Sequence, residues 1–390
     1  MKLVNGQLKQ TNFKIACLNI LKWALSENFS GFDPYDGLNI PIFSLEFIRK
    51  KYIMLITTQF FKNFPINLRP FFGIKKERNP KGIALFVLGL LNLYEKYNDK
   101  IYLELAENLL NWLKINRSPY SKNYAWGYNF PWQSRNSYKP KNFPNIVSTT
   151  FVGLAFLEGY KKTKKDEFLE ITNSSCKFIV DELNITIKDD NICFSYSPVD
   201  YEKVYNATLL GSLLLMENWH ITNVDRFKEY GEKSVRFVLK AQNDDGSWYY
   251  GENKNQKWID NFHTGYNLWC LKKISKIVKI EKLDDSVNLG MKYYIENLFD
   301  EDFLPKYFHN KLYPLDIHCF ATAIIVFVLF NKKEIYEKIL NKSFELFLYE
   351  KYYFYYRKNR FFTNKIPYMR WSNAWMFFAL SEVIKNEDLD

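Results

Sequence analysis

Apolar and polar positions along the chain define two kinds of helical segment. Segments of the first kind are apolar almost all round and follow loops rich in Gly, Pro, Trp and Asn, near residues 82–96, 148–161, 206–219, 264–277, 319–331 and 372–385. Segments of the second kind have one face of Lys and Glu, near 43–61, 99–115, 164–184, 224–242, 283–298 and 333–348, with a further helix possible at 10–26. A helix that is apolar all round must be buried, whereas one with a charged face can lie outside. The pattern therefore predicts six inner and about six outer helices.

The spacing of the inner helices predicts a closed ring. Their starts recur about every 52 to 68 residues, and a helical hairpin that cannot bury its apolar face alone must stack on its neighbours. We therefore predict an all-α fold, an (α/α)6 toroid or six-hairpin barrel with a central funnel. An open α-solenoid is the alternative architecture. Short strands are possible in rim loops such as 246–251 and 352–356.

The composition favours one domain over residues 1–390. No Pro/Gly/Ser-rich linker divides the chain, and 47% hydrophobic residues allow a sizeable core. The net charge is +11 and the pI about 9.1, but Lys and Arg are spread thinly, which argues against nucleic acid as a partner. Abundant Lys, Asn, Ile, Tyr and Phe instead indicate an AT-rich genome.

Cysteine usage and the first residues of the chain favour a cytoplasmic location. The five cysteines are scattered and form no CxxC motif or Cys/His cluster, so no metal site is expected. The opening ten residues lack the apolar core of a signal peptide. Apolar runs at 83–93 and 320–330 are shorter than the roughly 20 residues that span a bilayer, so we expect buried helices and no transmembrane segment. Because Walker A, GxGxxG and HExxH motifs are missing, no cofactor is expected.

Two histidines are the first candidates for catalysis. His263 and His318 lie 55 residues apart, close to one repeat, and each follows an aspartate, Asp260 or Asp316. Equivalent places in a toroid would put both imidazoles at one rim, facing one pocket. Because imidazole titrates near neutral pH, the pair could act as acid and base on opposite faces of a sugar. The two aspartates either orient these rings or cap the helices that follow.

Aromatic residues interleaved with Asn, Asp and Arg before the inner helices are typical of carbohydrate binding. A pyranose offers C–H faces that stack on Trp or Tyr and hydroxyls that need polar partners, while Arg recognises a carboxylate or phosphate. The alternative is that these aromatics fill the core between helix ends. The predicted substrate-binding residues are Asp36, Arg69, Trp126, Tyr128, Trp132, Gln133, Tyr205, Asn206, Trp248, Glu252, Tyr266, Arg370 and Trp371.

Two further chemistries stay open at this point. Glycoside cleavage by paired carboxylates could use two of the four acidic residues Asp36, Glu252, Asp260 and Asp316. A tyrosine such as Tyr205, Tyr266 or Tyr368 could donate a proton if a neighbouring cation lowered its pKa.

Several of these loops resemble one family of bacterial and archaeal proteins. The matching stretches read GFDPYDGL (31–38), NLRP (67–70), WGYNFPWQ (126–133), NIVSTT (145–150), DNFHTGYN (260–267), YPLDIH (313–318) and YMRW (368–371). They cover nearly the whole chain and resemble the family usually labelled polysaccharide biosynthesis proteins, which accompanies surface-glycan genes. The resemblance implies a role in surface-polysaccharide assembly, with glycosyltransferases as possible partners.

More distantly, the layout resembles other α/α toroid sugar enzymes: N-acylglucosamine 2-epimerases, unsaturated glucuronyl hydrolases and the helical domain of glucuronyl C5-epimerases. The first group uses histidines with arginine and acidic residues around its funnel. The resemblance implies that His263, His318, Arg69 and Arg370 could play similar parts here.

Together these features predict a cytoplasmic enzyme that epimerises, isomerises or eliminates on an acidic or nucleotide-linked sugar. One alternative is a glycoside hydrolase of the unsaturated-uronide type. Another is a non-catalytic protein that binds glycans or holds glycosyltransferases together.

Overall fold

The helices account for most of the described chain. The computed structural model describes residues 3–134, 137–350 and 352–387, with side chains from residue 13 onward. The α-helices in chain order are α1 Leu3–Ser26, α2 Lys51–Asn63, α3 Pro80–Tyr97, α4 Lys100–Ile115, α5 Ile146–Thr163, α6 Asp166–Asp181, α7 Tyr205–Thr222, α8 Asp225–Leu239, α9 Asn261–Ser275, α10 Leu283–Asn297, α11 Ile317–Leu329, α12 Lys333–Phe347 and α13 Trp375–Asn386.

Six of these helices form a closed inner ring. Helices α3, α5, α7, α9, α11 and α13 each pack against the next, and α13 packs back onto α3. Their side chains supply about half of the buried residues of the main apolar core, and all six fall on the segments predicted to be apolar all round. The closure between α13 and α3 confirms the (α/α)6 toroid and excludes the open solenoid.

The outer ring differs from the prediction at one place. Helices α4, α6, α8, α10 and α12 pack on the inner helix that precedes each, as the amphipathic pattern predicts. The sixth outer place, against α13, is taken by α1. The segment 43–61 is predicted to be an outer helix, but its first part forms short 3-10 turns and α2 begins only at Lys51. Helix α2 instead covers the 3-10 turn Asp36–Asn39 and contributes to a second, smaller apolar cluster with Leu38, Phe43 and Met54.

The strands are short and lie in the rim loops. They are β1 Trp132–Gln133, β2 Tyr138–Lys139, β3 Ile185–Lys188, β4 Asn191–Phe194, β5 Leu315–Asp316, β6 Leu348–Tyr349, β7 Tyr353–Phe354, β8 Arg357–Lys358 and β9 Thr363–Asn364. All pairings are antiparallel, in the order β1-β2, β3-β4, β5-β8-β9 and β6-β7. Strand β7 falls in the predicted stretch 352–356. The stretch 246–251 forms no strand and is irregular apart from an isolated bridge from Gly251 to Val204.

The inner helices all begin at one end of the barrel. Asn79, Asn145, Asp260 and Asp316 cap four of them by accepting backbone N–H groups of the first turn. The aligned N-termini place several unpaired N–H groups and the positive ends of the helix dipoles around one opening.

Ion pairs join the inner helices at the opposite end of the barrel. Glu95 on α3 is contacted by Lys162 from α5 and by Lys385 from α13, the latter at 3.1 Å. Glu217 on α7 lies 2.9 Å from Lys161. A second cavity, of about 270 Å³, lies at this end and is lined by Glu95, Lys162 and Lys385 among others.

Two sequence expectations concern burial. The runs 83–93 and 320–330 lie inside α3 and α11, apart from the last residue, and are almost wholly buried. Within the described ranges, no helix combines the length and apolarity needed to cross a bilayer. All five cysteines are buried and free.

Candidate active site

A cavity opens where the inner helices begin. Its volume is about 220 Å³, below the roughly 300 Å³ at which pockets for drug-sized ligands begin. The loop 118–145 forms one wall through Tyr128, Phe130 and Trp132, and β1 and β2 are a hairpin in this loop. The remaining lining residues are Tyr35, Lys81, Ser134, Lys139, Val147, Tyr196, Glu202, Asn206, Tyr250, Phe262, His263, Tyr266, Arg370 and Trp371.

Asp260 fixes the orientation of the His263 ring. One carboxylate oxygen of Asp260 accepts the backbone N–H of His263 at 3.0 Å and so caps α9, while the other lies 2.7 Å from His263 Nδ1. The second oxygen also accepts the Trp258 indole N–H at 3.0 Å. A carboxylate on Nδ1 keeps the proton there, so Nε2 of the neutral ring is the basic nitrogen. His263 lines the cavity with a side chain that is 21% exposed.

His318 lies behind Tyr266 rather than in the cavity wall. Its Nδ1 is 3.3 Å from the carbonyl oxygen of Trp371, which can only accept, so Nδ1 carries the proton. Its Nε2 then accepts the Tyr266 hydroxyl at 2.6 Å. Burial lowers the pKa of His318 well below its usual value, and the charges of Lys81 and Arg370 add to this. Burial also raises the pKa of Tyr266 well above its usual value, so the phenol keeps its proton.

Lys81 is a buried amine in the first turn of α3. Its side chain lies among aromatic rings, with Nζ 4.5 Å from the ring centre of Phe151 and 5.1 Å from that of Trp375. The nearest hydrogen-bond partner in the described residues is the Tyr266 hydroxyl at 3.5 Å. Burial, aided by the charge of Arg370, lowers the pKa of Lys81 well below its usual value. Burial thus favours the neutral amine, and no ion pair joins it to a carboxylate among the described residues.

Arg370 lies in a helical turn that is wider than a turn of α-helix. Residues Met369–Ala374 form a π-helix before α13, a feature that is often found at functional sites. Asp33 binds the Arg370 guanidinium with both oxygens, at 2.6 and 2.7 Å. Burial works against the charge, but Asp33 outweighs it and raises the pKa of Arg370. This bidentate pair holds Arg370 in place beneath the aromatic wall.

Aromatic rings form most of the remaining wall. Tyr35 contacts both Trp132 and Trp371 edge to face, with ring centres 5.2 and 5.3 Å apart. Tyr250 packs against the ring of His263 at 4.6 Å. Tyr128 and Tyr196 share a hydrogen bond of 2.7 Å between their hydroxyls. Rings with hydroxyls at their edges can stack on the C–H faces of a sugar and bind its hydroxyls.

The structure brings about half of the predicted site residues to the cavity. Those that line it are Tyr128, Trp132, Asn206, His263, Tyr266, Arg370 and Trp371. Asp260 acts on it through His263. The other predicted residues, Asp36, Arg69, Trp126, Gln133, Tyr205, Trp248, Glu252, Asp316 and His318, do not line this cavity.

Asp316 does not orient the imidazole that follows it, unlike Asp260. It caps α11 by accepting the backbone N–H of His318 at 3.0 Å. Its carboxylate also accepts the Trp371 indole N–H at 2.9 Å and pairs with Arg357 at 2.9 Å. The two histidines are therefore not equivalent, and the prediction that they face a substrate from opposite sides does not match their positions.

Arg69 and Asp36 form a buried ion pair of 2.5 Å away from the cavity wall. Burial raises the pKa of Asp36 to about 6, against the opposing charge of Arg69. Arg69 also donates to the backbone carbonyl of Asp33 at 2.8 Å, and Asp36 accepts the backbone N–H of Asp33 at 2.9 Å. The pair therefore positions Asp33, which holds Arg370.

Two predicted tryptophans are core anchors. The indole N–H of Trp126 donates to Leu113 at 2.9 Å, and that of Trp248 donates to Val238 at 3.1 Å. Both rings are fully buried between helix ends, where an indole needs an acceptor for its N–H.

Three further predicted residues make contacts outside the cavity, with residues of their own loops or of a neighbouring helix. Glu252 pairs with Lys203 and, at 3.5 Å, with Lys188. Gln133 donates to the backbone of the next residue at 2.6 Å. Tyr205 begins α7 and packs against the outer helix α8.

Sequence reasoning missed several lining residues, of which Lys81 is the most informative. A charged residue in a segment otherwise apolar all round was a usable signal, because a lysine is rarely buried without a reason. The others that it missed are Tyr35, Phe130, Ser134, Lys139, Val147, Tyr196, Glu202, Tyr250 and Phe262.

Comparisons with known proteins identify the fold. No family model and no curated protein matches the chain. Among solved structures, a sugar epimerase from a ruminal bacterium is similar with a TM-score of 0.63 and 13% identity, over 80% of this chain and 90% of that chain. A D-mannose isomerase gives 0.62 and 12%, over 78% and 87%. An unsaturated glucuronyl hydrolase specific for heparin gives 0.64 and 11%, over 97% and 96%. These likenesses agree with the (α/α)6 toroid and with two of the three distant toroid groups that the loops resemble.

Proposed function

We propose that the protein is an enzyme that moves a proton on an acidic sugar, by isomerisation or elimination, in the cytoplasmic assembly of a surface polysaccharide. The arrangement of His263, Asp260 and Tyr266 at the floor of a sugar-sized cavity is the observation behind this proposal. The names of the fold neighbours, which include a sugar epimerase and a mannose isomerase, agree with it.

His263 is the proposed base. With Nδ1 bound by Asp260, Nε2 can take a proton from a substrate carbon, and the carboxylate stabilises the imidazolium that forms. The aspartate is 3% exposed, so little water screens this interaction. In isomerisation, removal of the proton beside the carbonyl leaves an enediolate, which takes a proton at the neighbouring carbon while the hydroxyl proton moves to the former carbonyl oxygen. In elimination, removal of the proton beside the carboxylate leaves an enolate, which expels the oxygen substituent of the next carbon as water or an alcohol.

Tyr266 is the proposed binding group for a substrate oxygen. Its hydroxyl hydrogen points to Nε2 of His318, so its lone pairs are left for Lys81 and for a sugar hydroxyl. Because the pKa of His318 is lowered, that ring stays neutral and continues to accept this hydrogen bond near neutral pH. His318 is thus a positioning residue for Tyr266.

One base on one side favours isomerisation or elimination over epimerisation. His263 and Tyr266 lie one turn apart on α9, with ring centres 6.1 Å apart, and so meet a substrate from the same side. A single base can remove a proton from one carbon and return it to the neighbouring carbon on the same face. Epimerisation needs delivery to the opposite face, and His318 does not lie there.

Lys81 is the proposed partner of the substrate carboxylate. A carboxylate beside it would supply the opposite charge that the described residues do not. The N-termini of the inner helices surround the same opening and favour an anion. A cavity of about 220 Å³ has room for one sugar ring but not for a buried nucleotide as well, so we favour a free uronate.

The test is proton exchange and isomerisation of hexuronates in heavy water. We expect solvent deuterium to appear at one sugar carbon, with ketose formed from aldose or an unsaturated product formed by elimination. A substrate deuterated at carbon 2 should transfer part of its label to carbon 1, because one base carries the proton. Absence of exchange and product over a panel of hexuronates, with the folded protein at high concentration, would refute the proposal.

A second assay, with unsaturated uronide disaccharides, distinguishes hydrolysis from isomerisation and elimination. A hydrolase would release reducing sugar from unsaturated uronide disaccharides and would leave the carbon-bound hydrogens of saturated hexuronates unexchanged. His263→Gln should abolish exchange, whereas Glu252→Gln, which lies at a surface ion pair outside the cavity, should not.

A further inference from the structure

One surface near the cavity carries a concentration of exposed apolar side chains. It is formed by residues 42–76 and 357–365, which we call the aromatic surface. Nearly half of the large apolar side chains that are exposed in the described residues belong to it. Its most exposed members, with exposed fractions between 64% and 88%, are Phe47, Tyr52, Ile56, Ile66, Phe71 and Phe361. Exposed apolar patches of this kind mark contact surfaces.

Helix α2 is apolar on two opposite faces. Met54 and Phe61 are buried and point to the small cluster and the 3-10 turn beneath the helix. Tyr52, Ile56 and Phe60 recur every four residues on the opposite side and are exposed. A helix with two apolar faces is stable in water only when both faces are buried against other groups. In the described chain only the face with Met54 and Phe61 is buried.

Two loops distant in sequence extend this face. The side chain of Asn364 donates to the carbonyl of Phe64 at 3.0 Å, which fixes the β8–β9 hairpin to the end of α2. Phe361 lies at the tip of this hairpin. Phe71 lies in the 3-10 turn Arg69–Phe72, and the following residue of this turn, Phe72, packs on Phe61. Each tip phenylalanine is 88% exposed.

The charge of the aromatic surface is strongly positive. Residues 42–76 contain seven Lys or Arg and a single acidic residue, Glu46, and residues 357–365 contain four Lys or Arg and none that is acidic. Arg69 and Arg357 are buried in ion pairs, and the others are at least partly exposed. Exposed rings on loop tips, surrounded by lysines, favour the boundary between anionic headgroups and acyl chains.

We propose that the aromatic surface docks the protein onto an anionic lipid bilayer. Phe71 and Phe361 enter the interface, the apolar stripe of α2 lies flat on it, and Lys50 and Lys51 contact the headgroups. Lys62 of α2 lies 4.9 Å from the ring centre of Tyr35, which lines the cavity. Docking therefore brings the cavity mouth close to the membrane. This inference does not depend on the proposed reaction.

Vesicle co-sedimentation tests it on the full chain. We expect binding to vesicles of phosphatidylcholine with 30% phosphatidylglycerol to be at least about tenfold stronger than to phosphatidylcholine alone, and to weaken as salt rises. Phe71→Ser with Phe361→Ser, and separately Lys50→Glu with Lys51→Glu, should each lower binding at least about tenfold. Because these side chains are exposed, the variants should keep the wild-type melting temperature.

The control variants change residues outside the aromatic surface. Ile115→Ser with Ile187→Ser removes two apolar residues that are also highly exposed, and Lys332→Glu with Lys333→Glu reverses two neighbouring charges. Both should bind as the wild type does. Equal loss in the controls, or no binding to anionic vesicles, would overturn the proposal. So would a dimer in sedimentation velocity that dissociates in Phe71→Ser/Phe361→Ser, since the occupant would then be a second copy.

Discussion

Asp260 contacts both the backbone and the ring of His263: one oxygen caps α9 at the His263 N–H and the other holds Nδ1 at 2.7 Å. The same carboxylate therefore begins the helix and sets the tautomer of the proposed base. Asp316 has the first role for His318 but not the second.

The two roles of Asp260 can be separated by one substitution. Asparagine caps a helix as well as aspartate does, but it has no charge to stabilise an imidazolium. We expect Asp260→Asn to lower kcat/KM for the hexuronate by about 10² to 10⁴ while the melting temperature changes little. Steady-state kinetics and thermal unfolding check this.

Asp316→Asn is the comparison for this variant. It leaves the buried Arg357 without its partner, so it should lower the free energy of unfolding by about 3 kcal/mol or more. Its effect on kcat/KM of the remaining folded enzyme should be the smaller of the two. Equal kinetic losses would contradict the special role of Asp260.

Burial of the Lys81 amine costs free energy, and no ion pair among the described residues offsets this cost. Methionine has a similar length and no charge, so Lys81→Met should raise the free energy of unfolding by about 0.5–2 kcal/mol. It should also weaken uronate binding at least about tenfold, because the carboxylate loses its cation. Calorimetric titration and chemical denaturation measure the two effects.

Lys100→Met tests whether these effects belong to Lys81. Lys100 begins the outer helix α4 and is exposed. This variant should change neither stability nor uronate binding by a measurable amount. A lower stability of Lys81→Met, or unchanged affinity, would argue against an uncompensated amine in the cavity.

His318 should make stability depend on pH. Because its pKa in the folded protein is well below 6.5, the unfolded chain takes up a proton there near pH 6.5 and the folded chain does not. Stability is therefore fully present above pH 6.5 and falls as the pH drops further, by up to about 1.4 kcal/mol per pH unit. Denaturation at pH 7.5 and 5.5 should show a smaller drop for His318→Gln than for the wild type.

The exposed His309 provides the control for this titration. His309→Gln should keep the wild-type dependence on pH. If His318→Gln and the wild type lose stability in parallel, the buried ring is not the group responsible.

Trp248 and Trp371 should respond differently to the same change. Trp248→Phe removes a buried indole whose N–H donates to Val238, so stability should fall by about 1–3 kcal/mol while KM stays the same. Trp371 lines the cavity, so Trp371→Phe should raise KM. An unchanged KM in Trp371→Phe would remove this ring from the binding surface.

The fold was predictable because burial repeats along the chain. An inner helix has no polar face and must be surrounded by other helices. A closed ring is the simplest arrangement that buries six such segments at similar spacing. The error at 43–61 has a physical cause. Helix α2 has the composition of an outer helix, but its second apolar face belongs to the aromatic surface and not to the barrel.

The candidate site was harder to predict than the fold. The loops are predicted at the correct rim, yet Trp248, which packs between helix ends, and Trp371, which faces the cavity, both lie in stretches that combine aromatic and polar residues. The two histidines also look equivalent in sequence. They differ because Tyr266, one turn after His263, covers His318.

Closure of the inner ring has a consequence for how the chain folds. The side chain of Asn92 on α3 donates to Ser381 on α13 at 3.1 Å, a contact between residues 289 positions apart. Arg370 and Trp371, which complete the cavity, are made just before α13. During synthesis the first five inner helices can stack as an open arc, but neither the ring nor the binding site exists until α13 has left the ribosome.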